Sequence, residues 1–394
     1  MDVTYWLARI FLGLACILVQ LGPVASAEDV QQWSPEITST AFDMTINWFN
    51  TFQFEDSPNI ITSTNNDLLL SRDMGKTWNK VELNWESIDS NPMSNFARIE
   101  TFDYFPNVAM AFTPTKRQFY TFDKGETWGY FDIPFDRVLM ANAQINYVNK
   151  EQMLFKCLVQ ENDTIFEKMF YSLDGLKTAP VPLGDNSLGE CTFTKINPFF
   201  TEGADETILC IDRESNELGV RKDRVIVSTD FFKTYLTVDD SNFNENNVIY
   251  IRVENSLVML LMTTDRFLND SPSLYTSKDG LQFRKAHFED ENRHGMISIL
   301  DSGSDALYIS RYGSDGGQSQ SGDMYKSDSE GIYFKKIFGN VLSNRFGMAL
   351  VSKVENVDGV WIAAHIEKRD ILHHLDSKTK ITYDDGKTWS LLNI

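Results

Sequence analysis

An eight-residue pattern, Ser/Thr-x-Asp-x-Gly-x-Thr-Trp, returns along this chain at a nearly even interval. Three copies are close to perfect: Ser71 to Trp78 (SRDMGKTW), Thr121 to Trp128 (TFDKGETW) and Thr382 to Trp389 (TYDDGKTW). Four degenerate copies lie between them, at Ser172 to Thr178 (SLDGLKT), Ser228 to Tyr235 (STDFFKTY), Ser277 to Phe283 (SKDGLQF) and Ser327 to Phe334 (SDSEGIYF). From first residue to first residue the steps are 50, 51, 56, 49, 50 and 55. A period near 50 residues means one supersecondary unit repeated, each unit relying on its neighbours to bury its apolar face.

The residue types explain the pattern. Ser, Thr and Asp side chains hydrogen-bond to backbone groups two or three residues away and close a tight turn. Gly supplies the positive φ that such a turn needs. Trp opens the next strand, where a large ring wedges between neighbours. Apolar stretches flank the copies: Leu68 to Leu70 before the first, Val225 to Val227 before the fourth, Ile381 before the last. Each copy therefore predicts a hairpin turn between two strands. The expected fold is all-β, a β-propeller with Asp-box (BNR-type) repeats and about seven blades. Asp73, Gly75, Trp78, Asp123, Gly125, Trp128, Asp174, Asp230, Asp279, Gly331, Asp384, Gly386 and Trp389 are read as scaffolding of these turns rather than as chemistry.

The N-terminus reads as a targeting segment. Tyr5 to Leu21 is mostly apolar, and Ala25 and Ala27 stand where a signal peptidase reads small residues, so residues 1–27 are expected to be a signal peptide cleaved after Ala27. Asp2, the missing Lys and Arg9 make a poor signal, and an uncleaved membrane anchor is the alternative. Residues 28–394 are expected to form one domain, with no later stretch approaching the roughly 18 apolar residues of a membrane span. Ser256 to Met262 (SLVMLLM) has the length of a buried strand. The runs Asp239 to Glu245 and Tyr312 to Asp323 read as loops connecting blades.

The chain carries 36 Lys and Arg against 56 Asp and Glu, a net charge of −20 that removing residues 1–27 leaves unchanged. That argues against nucleic acid and anionic membrane surfaces as partners and suits a soluble luminal protein and basic ligand segments. Of four cysteines, Cys16 leaves with the signal. Cys191 and Cys210 stand at the two ends of one strand-loop-strand stretch, a spacing that suits a disulfide in an oxidising lumen. Cys157 is left over, either buried and inert or parted from a mate. Sequons for N-glycosylation occur at Asn162 and Asn269.

No catalytic constellation is legible. A Gly-x-Ser-x-Gly elbow, a phosphate loop and a dinucleotide fingerprint are all missing from the sequence. His287, His294, His365, His373 and His374 lack metal-ligand spacing, so neither a metal site nor a cofactor is expected. The competing enzyme class is an Asp-box glycoside hydrolase. A sialidase needs an arginine cluster for the substrate carboxylate, yet the first Arg after residue 27 is Arg72, and Arg98 (FARIE) follows the first box without the expected Pro. A glucanase needs two inward carboxylates, a requirement too general to test in so acidic a chain.

Several segments are more specific than a generic Asp box: SLYTSKDGLQFRKAHF from Ser273, DMYKSDSEGIYF from Asp323, KVENVDGVWI from Lys353 and KTKITYDDGKTWSLL from Lys378. In this order and spacing they resemble the luminal domain of sortilin-type vacuolar protein sorting receptors, fungal members especially, across residues 45–394. The placement of Cys191 and Cys210 is similar too. The resemblance implies a ten-bladed propeller whose tunnel binds a soluble vacuolar hydrolase or its propeptide, without enzymatic activity, in the Golgi and late endosome. It also implies a following cysteine-rich module, a transmembrane helix and an adaptor-binding tail. Against that pattern the chain is expected to be incomplete, lacking about three blades and everything after them. A truncated or non-functional paralogue, secreted rather than recycled, is part of the expectation, as is membrane association if the true gene is longer. A ring closed with seven blades is the geometric alternative. The family's ligand contacts have no motif that aligns here, so ligand-binding residues are unassigned.

Overall fold

The strands fall into short antiparallel meanders, each with one of the repeated turns before its last strand. The structure, a computed structural model, describes residues 50–64, 67–84, 98–184, 188–215, 221–238, 243, 247–264, 271–290, 295–302, 306–313, 321–344, 349–354, 357–369 and 375–392. Two compact units are recognisable among the described residues, one within residues 37–264 and 277–283, the other within residues 265–276 and 284–394.

In the first unit, strands Asn50–Gln53, Ile60–Ser63, Leu68–Ser71 and Asn79–Lys80 form a sheet in sequence order. A seven-stranded sheet follows, from Arg98–Thr101 through Ala109–Phe112, Thr115–Thr121, Gly129–Ile145, Met153–Glu161 and Thr164–Ser172 to Val181–Pro182. It is two repeats fused through one long strand. Gly129 to Asp132 pair back onto Thr115–Thr121, and Arg137 to Ile145 pair forward onto Met153–Glu161. Pro134, without an N–H to donate, lies between the two registers. At this junction Arg117 is buried, forks onto Asp132 at 3.0 and 3.1 Å and lies 3.9 Å over the Tyr130 ring. A further four-stranded sheet comprises Leu188–Phe193, Ile208–Ser215, Arg221–Ser228 and Leu236–Thr237. The hairpin Asn247–Glu254 with Leu257–Thr263 ends the unit. Its second strand is buried at every position, as a continuous apolar run with both faces covered requires.

In the second unit, Ser273–Ser277 pairs with Arg284–Lys285. A nine-stranded sheet then runs through Gly295–Ser302, Leu307–Gly313, Ser321–Ser327, Tyr333–Leu342, Trp361–Arg369, Leu375–Thr382 and Ser390–Leu391. Val351–Lys353 pairs with Trp361–Arg369, and His287–Phe288 lies parallel to Tyr333–Leu342. The Gly/Ser-rich run corrects one expectation. Tyr312 pairs with Gly322, so the run joins the second and third strands of one repeat and does not connect blades.

The core lies between successive repeats. Met110 and Phe112 of one repeat meet Val138, Phe155 and Phe170 of the next. Leu154, Met169 and Leu183 of that repeat meet Phe193, Ile208 and Ile226 of the one after. Each strand keeps one set of alternate residues for each neighbour, which is how a small sheet without a closed core of its own becomes stable in an array.

Candidate functional site

The repeated turns are built by one carboxylate clamp. Ser71 Oγ donates to Asp73 Oδ1 at 2.8 Å and accepts from the Gly75 amide at 2.8 Å. Asp73 Oδ1 accepts the Thr77 amide at 2.8 Å, and Oδ2 accepts the Thr77 hydroxyl at 2.7 Å. Asp123 repeats this with Thr127, and Asp384 with Thr388, at 2.8 and 2.6 Å in each case. The Thr77 amide and hydroxyl hold Asp73 down at about 2, and the Thr388 hydroxyl and amide do the same for Asp384. Burial pushes Asp123 upward, but the bonds from Thr127 and Thr121 outweigh it. A carboxylate bonded in this way stays ionised at neutral pH and has no proton to give as a general acid.

The degenerate copies keep the clamp and vary the rest. Asp174 accepts from Thr178, and Asp230 from Thr234. Asp279 sits in a turn one residue shorter and accepts the Leu281 and Gln282 amides, both at 2.8 Å. In the sixth copy the working carboxylate is Asp328, which accepts the Ile332 amide at 2.8 Å while Gly331 takes φ +68°. Sequence reading had singled out Gly331 there and missed Asp328. An Asp one place early in SDSEG was the available signal. The indoles also differ. Trp78 and Trp128 donate to the carbonyls of Gly75 and Gly125, both at 3.0 Å, closing their own turns. Trp389 donates to Ile337 O at 3.3 Å and stacks on Phe338 with ring centroids 4.0 Å apart.

A second recurring feature guards the first strand of successive repeats in the 37–264 unit. The Ala143 amide donates to Glu100 Oε2 at 2.8 Å, the Phe193 amide to Gln144 Oε1 at 3.3 Å and the Val248 amide to Asp223 Oδ2 at 3.0 Å. In each case a side chain from the preceding repeat takes an N–H that an incoming strand would otherwise use. Burial raises the Glu100 pKa, while the Ala143 amide and Arg98 oppose it. Arg98 bonds Glu100 at 3.1 Å and Asn142 Oδ1 at 2.5 Å. Further along, Glu167 bridges Lys156 at 3.3 Å and Arg213 at 3.0 Å, and Glu190 lies 3.8 Å from Lys156. The inner strands thus carry a band of paired charges and amides, which the sequence alone did not single out because its contacts between repeats, such as Glu100 with Ala143 and Glu167 with Arg213, join residues more than 40 apart.

Cys191 and Cys210 face each other directly on adjacent antiparallel strands and are disulfide-bonded, with Cα atoms 4.1 Å apart. Cys157 is fully buried in the core between Ala141 and Lys168 of the flanking strands, and burial pushes its thiol up to about 12. Asn162 is exposed at the tip of a hairpin. Asn269, residues 1–27, His294, His373 and His374 lie outside the described residues. Among the described residues no three His, Cys, Asp or Glu are grouped to hold a metal ion, and no helix is long and apolar enough to cross a membrane.

Short antiparallel meanders, each closed by the same carboxylate clamp about 50 residues after the last, define an all-β repeat protein. The Sortilin-Vps10 family model, described as sortilin, neurotensin receptor 3, matches residues 65–394, and the chain belongs to that family. Vacuolar protein sorting/targeting protein 10 of Debaryomyces hansenii is 27% identical over 373 residues, covering 86% of this chain and 23% of that protein. The protein of the same name from Clavispora lusitaniae is 30% identical over 413 residues, covering 98% of this chain and 25% of the relative. The chain spans about a quarter of the length of these curated relatives. Among solved structures, the β-propeller domain of the Trilobed protease from Pyrococcus furiosus aligns with a TM-score of 0.46 at 8% identity, over 85% of this chain and 94% of that one.

Proposed function

We propose that this chain is the luminal, ligand-binding portion of a sorting receptor for soluble vacuolar hydrolases, and that it binds without catalysis. The observation that carries the reading is the family match over residues 65–394, together with relatives whose printed name is vacuolar protein sorting/targeting protein. In this reading the meanders are blades of a β-propeller, about seven of an expected ten, and their first strands line a tunnel. The band of Arg98, Glu100, Asn142 and Gln144 then faces a peptide, with acceptors and donors already fixed by one another. Such preorganisation lowers the ordering cost of binding. The disulfide suits an oxidising lumen. Residues 1–27 act as a signal peptide, and Asn162 and Asn269 as glycosylation sites, in a protein of the Golgi and late endosome. The Asp-box carboxylates support a non-enzymatic role, since their oxygens are committed to their own turns.

The test is binding of the carboxypeptidase Y propeptide to the purified, immobilised chain at neutral pH. Saturable binding is expected. No binding by that propeptide or by other vacuolar hydrolases would overturn the reading, and turnover of sialyl or β-glucan substrates would replace it with a glycoside hydrolase.

A further inference from the structure

Three loops of the 37–264 unit hold the same place in successive repeats, each joining a first strand to a second. They are residues 102–108, 146–152 and 194–207. Their tips bring aromatic rings together in solvent. Tyr104 packs edge-on against Tyr147 at 5.7 Å and against Phe199 at 6.4 Å, and these rings are 37%, 40% and 47% exposed. Val148, beside Tyr147, is 52% exposed. Exposed apolar side chains scattered singly need no explanation, but a cluster contributed by three separate loops does.

The second and third of these loops are fastened to one another, and the first meets them through its rings. The Tyr147 amide donates to Lys195 O at 2.6 Å, Asn146 Nδ2 to Asp205 O at 2.8 Å, and Gln152 Nε2 to Glu206 Oε1 at 3.3 Å. Lys195 is buried beneath, its ammonium bonded to Phe200 O at 3.1 Å and 5.7 Å from the Phe200 ring. The Phe199 amide closes a turn onto Asn197 Oδ1 at 2.8 Å. Burying these anchors holds Tyr147 and Phe199 in place, so much of the cost of ordering the cluster is met during folding and not on association.

The rim sets the partner's charge. The same loops expose Asp103, Glu151, Glu202, Asp205 and Glu206, against Lys150 as their exposed cation. Glu151 is paired with Lys177 at 3.0 Å, and the excess of exposed carboxylates on these loops gives them a negative potential. An acidic rim around an aromatic centre rejects a second copy of a chain of net charge −20 and rejects an anionic bilayer. We propose that Tyr104, Tyr147 and Phe199 form a docking surface for a basic protein segment carrying aromatic or large aliphatic side chains. The rings take the apolar groups and the aliphatic stems of Lys or Arg, and the rim carboxylates take the charges. This surface is argued independently of the tunnel and of the hydrolase reading.

The experiment measures fluorescence anisotropy of a labelled peptide of alternating Lys and Phe against the whole chain. Peptides of alternating Glu and Phe, and of Lys and Ser, serve as comparators. The Lys/Phe peptide is expected to bind saturably and more weakly at high salt. Tyr147→Ser combined with Phe199→Ser should weaken it by about tenfold or more. Glu202→Lys combined with Asp205→Lys, which leaves the rings in place, should weaken it as well. Unchanged melting temperatures show that the variants fold, and the charge-reversal pair decides the matter if the serine pair does not. Equal binding by either comparator peptide or by both variants would overturn the proposal. So would capture of the chain by phosphatidylcholine vesicles in place of the peptide, or a concentration-dependent dimer lost in the serine pair.

Discussion

Gly75 and Gly125 occupy the same place in the first two turns, with φ of +85° and +84°. The backbone strain of adding a side chain is therefore the same at both, about 1–2 kcal/mol. Their surroundings differ. A Cβ on Gly75 has Ile60 Cδ1 and Trp78 Cζ2 at 3.8 Å, ordinary van der Waals contact. A Cβ on Gly125 meets Ile61 Cγ2 at 3.2 Å, Phe54 Cε2 at 3.3 Å and Leu70 Cδ1 at 3.4 Å. Those three side chains are buried, so none can retreat into solvent. Gly125→Ala therefore adds an overpacking cost of about 1–3 kcal/mol that Gly75→Ala escapes. Both sites lie in the same compact unit, so one unfolding transition reports on both. A thermal melt followed by tryptophan fluorescence should place G125A below G75A, by about 2–4 °C for each kcal/mol in a unit of this size. Equal shifts would show that φ alone sets the cost and that the contacts around Gly125 yield freely. A larger shift for G75A would refute the reasoning.

Three further outcomes follow from the same geometry. Asp73 is held at about 2 against an ordinary 3.8, so the unfolded chain takes up its proton first. The clamp's contribution is present above about pH 4 and is lost as pH falls through about 2. Asp73→Asn should flatten the acid-denaturation curve in that window and leave the dependence between neutral and mildly acidic pH unchanged, as followed by circular dichroism. Cys157, buried with its thiol at about 12, should resist iodoacetamide until denaturant is added, and Cys157→Ser should cost about 1–3 kcal/mol by burying an unsatisfied hydroxyl. Asn162 and Asp163 have φ of +46° and +63° between the paired residues Glu161 and Thr164, the geometry of a two-residue hairpin turn. Asp163→Gly keeps the sequon and should raise stability by up to about 1 kcal/mol, read from urea unfolding midpoints.

The turns were legible in the sequence because the clamp is local. Ser71, Asp73 and Thr77 lie within seven residues, and their bonds need nothing from elsewhere in the chain. The strand Leu257–Thr263 was legible for a similar reason, since burial on both faces leaves an unbroken apolar run. The features that distinguish one repeat from another were not. The guarding of Ala143 by Glu100, the salt bridge from Arg213 to Glu167 and the ring cluster of Tyr104, Tyr147 and Phe199 each join residues more than 40 positions apart, and no periodicity marks them.

The fourth turn separates what the repeat requires from what it merely prefers. Phe231 and Phe232 replace the usual residue-Gly pair, and both hold positive φ, at +58° and +61°. Each costs about 1–2 kcal/mol relative to glycine. The Asp230 clamp on Thr234 is nonetheless intact, at 2.9 and 2.8 Å. Phe231 stacks on Tyr171 at 4.9 Å across the seam between two repeats and meets Phe193 of its own repeat edge-on at 6.3 Å. Phe231 holds the place of Met74 and Lys124, which share its positive φ, and Phe232 holds the place of the glycine and packs against the core of Leu188, Phe193 and Ile226. Leu176, at φ +66° in the third turn, makes the same exchange by burying itself in the core. The carboxylate clamp is thus the requirement, and glycine is only the least strained way of meeting it. Leu176 shows that the glycine position can become a packing residue where the neighbouring repeat leaves room for a side chain, whereas at Gly125 the buried Ile61, Phe54 and Leu70 leave none.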